Sequence, residues 1–239
     1  MLPTEKMNTR HSAETLIALV KANPCRMLDS GDVVLPPMRL SFPNLAKEGP
    51  PAKNAPPGSK GKFGTNLLAV PGMTPDAGLQ VLRDQRFRKL AEAFPQNPRG
   101  LGMKEIFKNQ GQQVAPAEGG TNVSGKTYSG HVPDAYFISA TSQRRPTLFV
   151  PPMVNGVPTL FLEGEDAIEN TFYAGAWVIP VVNVYVSKIS ENKGAFIGLQ
   201  SLLKVLDDNK LAGGGGAPVD ARAAYGGISL PAEGPGSLF

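Results

Sequence analysis

Four carboxylates, Glu163, Glu165, Asp166 and Glu169, crowd into one short stretch and are the clearest candidates in this sequence for holding a divalent cation. A magnesium site that cleaves phosphodiesters normally draws its carboxylates from separated elements, so a solvated loop accounts more simply for a purely local cluster. Two histidines, His11 and His131, and a single cysteine, Cys25, are too few for a zinc site and exclude an internal disulfide. His131 has Pro133 and Asp134 beside it in what reads as a turn, with no nucleophile in supporting context. Gly58-Ser59-Lys60-Gly61-Lys62 superficially resembles a phosphate loop, but Pro56 and Phe63 stand where that motif needs Gly and Ser/Thr. No catalytic set emerges, and neither a metal nor another cofactor is expected.

A second kind of chemistry needs only cations and flat rings. Lys53, Lys60 and Lys62 lie in AKEGPPAKNAPPGSKGKFG, a long loop with almost no apolar residue, and Arg39 and the pair Arg144-Arg145 add to them. Such groups can neutralise phosphates, while Tyr128, Tyr136, Tyr185 and Trp177 could stack bases at roughly 1–3 kcal/mol each. Charge is distributed to match. From Arg39 to Arg145 there are 15 Lys/Arg against 7 Asp/Glu, and from Pro146 onward 5 against 9, within a net charge of +4. A basic middle facing an acidic end fits a polyanion binder.

Positioning these groups falls mainly to one stretch, Phe172 to Asp208. Its VVNVYV alternates, placing Val182, Val184 and Val186 toward a core and Asn183 and Tyr185 on the other face. The same parity carries Trp177 to the Tyr185 side unless Pro180 introduces a bulge. A polar turn at Ser190 to Gly194 leads to a return strand from Ala195, which is expected to give way to a helical pattern ending at Asp207-Asp208.

Ahead of it, Ser12 should cap a short helix that stops before Pro24. DVVLPPMRLSFPNL reads as a strand bent at Pro36-Pro37, with Arg39 and Ser41 on one face. Thr74 and Pro75 begin the strongest helical pattern, with Arg83, Arg86, Arg88 and Lys89 on its polar side. MKEIFKN suggests an amphipathic turn, AYFISA and TLFV are strands, and Asn155-Gly156 is a tight hairpin turn. Several short strands with one inserted helix indicate a mainly β barrel or sandwich. Residues 1–30 read as an arm with a short helix, 31–211 as the folded domain with an insertion at about 72–126, and 212–239 as a glycine-rich flexible tail. No apolar run approaches the ~18 residues of a membrane span, and MLPTEKMNTRHSAETL lacks the core of a signal peptide, so a cytoplasmic location is expected.

The order GHVPDAYFISATSQRRP, FYAGAWVIPVVNVYV, NKGAFIGLQSLLKVLDDNKLAGG resembles the single-stranded DNA-binding proteins of tailed bacteriophages. The resemblance runs from about Val33 to Tyr225. It implies a five-stranded OB-fold barrel with extra hairpins and long loops, sequence-independent binding of single strands in phage replication or recombination within the bacterial host, and no catalysis. It matches Arg144 and Arg145 to the family's Arg-Pro region and Tyr173, Trp177, Tyr185 and Lys193 to its long hairpin. Related proteins often end in an acidic tail with a terminal aromatic that recruits replication enzymes. Phe239 fits that role, although Asp220 and Glu233 against Arg222 give only a weak acidic excess. The expected DNA-binding set is therefore Arg39, Lys53, Lys60, Lys62, Lys126, Tyr128, Tyr136, Arg144, Arg145, Tyr173, Trp177, Asn183, Tyr185 and Lys193, with a possible homo-oligomer on DNA. The competing expectation is a structural or adaptor protein of a phage particle.

Overall fold

The computed structural model describes residues 7–51, 58–72, 78–112, 114–116, 123–133, 135–154, 157–189 and 193–211. Five strands close into a barrel: β3 (Met38–Asn44), β4 (Phe63–Leu68), β8 (Tyr136–Ser142), β11 (Trp177–Ser187) and β12 (Gly194–Leu206). Around the ring the order is β3-β4-β8-β12-β11, closed by β11 against β3, and every pairing is antiparallel except β8 with β12. First to second to third to fifth to fourth, with one parallel contact, is the expected OB arrangement.

Two short strands, β1 (Arg26–Met27) and β2 (Val33–Val34), extend the sheet beyond β11. The hairpin β9 (Thr147–Val154) and β10 (Val157–Phe161) extends it beyond β12. The anticipated bend at Pro36-Pro37 is the gap between β2 and β3, since proline cannot continue a ladder.

β11 and β12 carry the barrel. Val182 and Val184 are buried in the main core with Val33, Leu40, Leu67, Ile138, Ala140, Ile197 and Leu199, and Val186 packs at its margin. Asn183 and Tyr185 face outward, as the alternation requires. Pro180 does not disturb this register. The two irregularities lie in β12, where Gln200 and Val205 are the extra residues against β11, bulges that let a long strand coil around a small barrel. β12 also stays extended to Leu206, correcting the expected helical ending, because Leu202 is buried against the barrel and the strand remains paired throughout.

Helix α1 (Ala13–Ala22) begins as expected, with Ser12 Oγ accepting the Thr15 amide at 3.2 Å, and buries Leu16. Helix α2 (Gln80–Ala93) follows Leu79, which gives it no side-chain cap. Thr74 and Pro75 lie outside the described residues. Arg86, expected on the polar side, is buried, because α2 packs on β11 and β12 through Leu82, Gln85, Arg86 and Leu90. MKEIFKN is not helical. It ends in β5 (Lys108–Asn109), which pairs with β8. Beyond it, β6 (Val114–Pro116) and β7 (Val123–Thr127) form a separate hairpin. The acidic stretch folds as α3 (Glu165–Thr171), and Glu165 pairs with Lys47 at 2.9 Å; among the described residues no three His, Cys, Asp or Glu side chains converge to hold a metal.

Candidate nucleic-acid interface

Side chains on the outer face of β4, β8, β12 and β11 alternate with the core residues and line a groove. It consists of three adjoining depressions of about 420, 530 and 550 Å³, all sharing Lys62 and Thr141. The floor is low because Thr141 stands between two glycines, Gly64 on β4 and Gly198 on β12. Neither position has room for a side chain. A Cβ at Gly64 would lie 2.7 Å from the Ala140 carbonyl oxygen, and one at Gly198 would collide with Asn183 Oδ1.

At one end of the floor Tyr185 stacks on Phe196, its direct register partner, with ring centroids 5.8 Å apart and planes inclined by 29°. Tyr185 is 39 % exposed. Its neighbour Asn183 holds a buried Oδ1 that has no hydrogen-bond partner among the described residues. The rim is cationic. Lys60 and Lys62 approach from the β3–β4 loop, Arg144 and Arg145 from the β8–β9 turn, and Lys104 and Lys108 from the segment before and within β5. Arg145 is steadied by the Ala46 carbonyl, which accepts from Nη2, and by its place 5.6 Å over the Phe63 ring.

Lys60, Lys62, Arg144, Arg145, Asn183 and Tyr185 are thus brought together as the sequence suggested. Tyr128 sits close by: it meets Phe42 edge to face at 4.8 Å, and Phe42 lines the groove beside the β3–β4 loop. Phe42 has φ +50° where β3 carries a bulge against β4, which re-aims its side chain.

Arg39 and Trp177 require correction. They do lie on the outward face, as register partners on β3 and β11, but are only 1 % and 0 % exposed. Met7, Leu16, Val70, Val132 and Ala135 cover Trp177, and its indole N–H donates to Asp208 Oδ2 at 2.8 Å. Arg39 donates to the carbonyls of Met7, Asn8, Gly175 and Asn209 and pairs with Asp208 at 3.2 Å. Neither can touch a phosphate or a base.

Tyr173 belongs to the same knot, with its hydroxyl donating to Asp207 at 2.9 Å and the ammonium groups of Lys204 and Lys210 5.5 and 5.4 Å from its ring. Tyr136 is half-buried on β8 and lines none of the three depressions. Lys193 lies 4.9 Å over the ring of Phe94, the residue that ends α2. Lys126 is on β7, and Lys53, the Asn155-Gly156 turn, Ser190 to Asn192 and the tail with Phe239 lie outside the described residues.

Sequence reasoning missed Phe196, Lys104, Lys108 and Phe42. Phe196 alternates with the buried Ala195 and Ile197, so the parity applied to β11 would have found it on β12. Lys104 and Lys108 gave no local signal, because only the pairing of β5 with β8 places them at the groove.

A family model described as the Enterobacter phage Enc34 ssDNA-binding protein matches residues 32–226. Among solved structures, the single-stranded DNA-binding protein from bacteriophage Enc34 in complex with ssDNA is similar at 18% identity and a TM-score of 0.54, over 86% of this chain and 98% of that one. Its C-terminal truncation gives 20% identity and a TM-score of 0.54, over 79% and 92%. A single-stranded DNA-binding protein encoded by bacteriophage T7 is more distant, at 13% identity and a TM-score of 0.41, over 86% and 97%. No curated protein sequence matches this chain.

Proposed function

Because the chain belongs to the family of the Enterobacter phage Enc34 ssDNA-binding protein, we propose that it holds single-stranded DNA without sequence readout in the groove over β4, β8, β12 and β11. One observation carries this placement: an exposed tyrosine stacked on a second ring, Tyr185 on Phe196, beside a rim of lysines and arginines. A base can continue that stack whatever its identity, while Lys60, Lys62, Arg144 and Arg145 follow the backbone charge. The location also suits the barrel. OB-folds bind nucleic acid on the face of their second and third strands, here β4 and β8, between the first-to-second and fourth-to-fifth strand loops.

The proposed role is non-catalytic, protecting and organising single strands in phage replication or recombination in the host cytoplasm. In this reading the tail from residue 212, with Phe239, meets replication proteins, and neighbouring copies associate along DNA. Anisotropy of a fluorescent oligo-dT titrated with the protein at low salt tests the reading. Saturable binding is expected, and its absence at low salt would overturn the reading in favour of a particle protein.

A further inference from the structure

Lys108 is half-buried on the groove wall, and its surroundings suit an anion. Pairing of β5 with β8 sets it beside Phe137, with the ammonium 5.5 Å over that ring and donating to Ser139 Oγ at 3.3 Å. Ser139 in turn donates to Asn66 Oδ1 at 2.7 Å, so its hydroxyl proton is committed and its oxygen is left to accept from the lysine. The adjacent carboxylate is engaged elsewhere. Glu105 Oε1 accepts the amides of Ile106 and Phe107 at 2.7 and 3.1 Å, and Oε2 lies 3.8 Å from buried Arg86. Among the described residues no carboxylate lies within ion-pair distance of Lys104 or Lys108. Burial, and then the like charge of Lys104, hold the Lys108 ammonium below its ordinary pKa, the condition of a cation whose counter-charge comes from outside the fold.

We propose that Lys108, held on Ser139 of the barrel, and Lys104, which lines the same depression, form a seat for one backbone phosphate of the bound strand. The seat rests on the DNA-binding reading above and deepens it, because its two cations come from the segment inserted between β4 and β8. That insertion is then a working wall of the groove, held on the barrel by the pairing of β5 with β8.

The test is the salt dependence of oligo-dT affinity for wild type, Lys108→Met and Lys104→Met, with circular dichroism as the check on folding. Lys104 is exposed, so its variant reports even if Lys108→Met fails to fold. Each variant should lower the slope of log affinity against log salt measurably, by at most about 0.7, the share of the one single-strand phosphate that the two lysines hold. Between 50 and 200 mM salt, loss of that whole share makes the affinity loss roughly threefold smaller than for wild type. If wild type binds with a steep slope and the folded variants keep it, the seat is overturned while the groove stands. If wild type does not bind, the underlying reading falls and the seat with it.

Discussion

The indole N–H of Trp177 donates to Asp208 Oδ2 across 2.8 Å, joining the start of β11 to the residues that follow β12. The same carboxylate accepts from Thr9 Oγ1 at 2.6 Å and the Arg10 amide at 2.8 Å, and it pairs with Arg39 at 3.2 Å. Asp208 thus ties the N-terminal arm, β3 and β11 together from one buried point. Asp208→Ala would leave the Arg39 guanidinium buried without its counter-charge, at a cost of about 3–5 kcal/mol. Urea unfolding followed by circular dichroism should show a loss of that size. A loss below ~1 kcal/mol would mean the knot is incidental.

Acid should find the same weak point. Burial by itself would raise the Asp208 carboxyl, but Thr9, the Arg10 amide, Trp177 and Arg39 together hold it below its ordinary value. A carboxyl depressed in the folded state contributes stability that is complete above the unfolded value of ~4 and is lost as pH falls through the folded value. Asp207, held low chiefly by Lys204, acts in the same window. Stability measured between pH 7 and pH 2 should therefore decline less steeply below pH ~4 in Asp208→Asn than in wild type.

Trp177 should be a poor reporter of DNA. Fully buried beneath Met7 and Leu16, it should keep its emission when single-stranded DNA saturates the protein. Strong quenching would place the strand on the arm side of the barrel and contradict the groove assignment. Tyr185 should behave in the opposite way. Tyr185→Ala should weaken oligo-dT binding by about 1–3 kcal/mol, whereas Tyr185→Phe, which keeps the ring, should stay close to wild type.

Cys25 should be sluggish toward thiol reagents. Burial, only partly offset by a hydrogen bond to the Leu82 backbone, pushes its thiol up to about 11. Little thiolate then exists at pH 8, so labelling with a disulfide reagent should be slow in the native protein and fast in urea. Equal rates in both states would show that Cys25 is not sheltered as described.

The contrast between Tyr185 and Trp177 shows what the chain order could reveal. Alternation along β11 put both rings on the outward face, and both are there. Whether an outward ring meets solvent depends on what covers it, and Trp177 is covered by Met7 and Leu16, more than 150 residues away in sequence. Arg39 misled for the same reason: its charge suggested an external partner, and its counter-ion came from Asp208. The barrel strands were legible because β-branched alternation is local. β5 was not, since two residues carry no period and only pairing with β8 makes them a strand.

The position of the DNA path is tested most directly by the salt dependence of oligo-dT affinity in two single-charge variants. Lys62 lies at the junction of the three depressions, while Arg88 is exposed on α2 and lines none of them. Lys62→Ala should lower the log–log slope by about 0.7 and Arg88→Ala should leave it unchanged. An unchanged slope for Lys62→Ala with a reduced one for Arg88→Ala would place the strand on the helix and contradict the account.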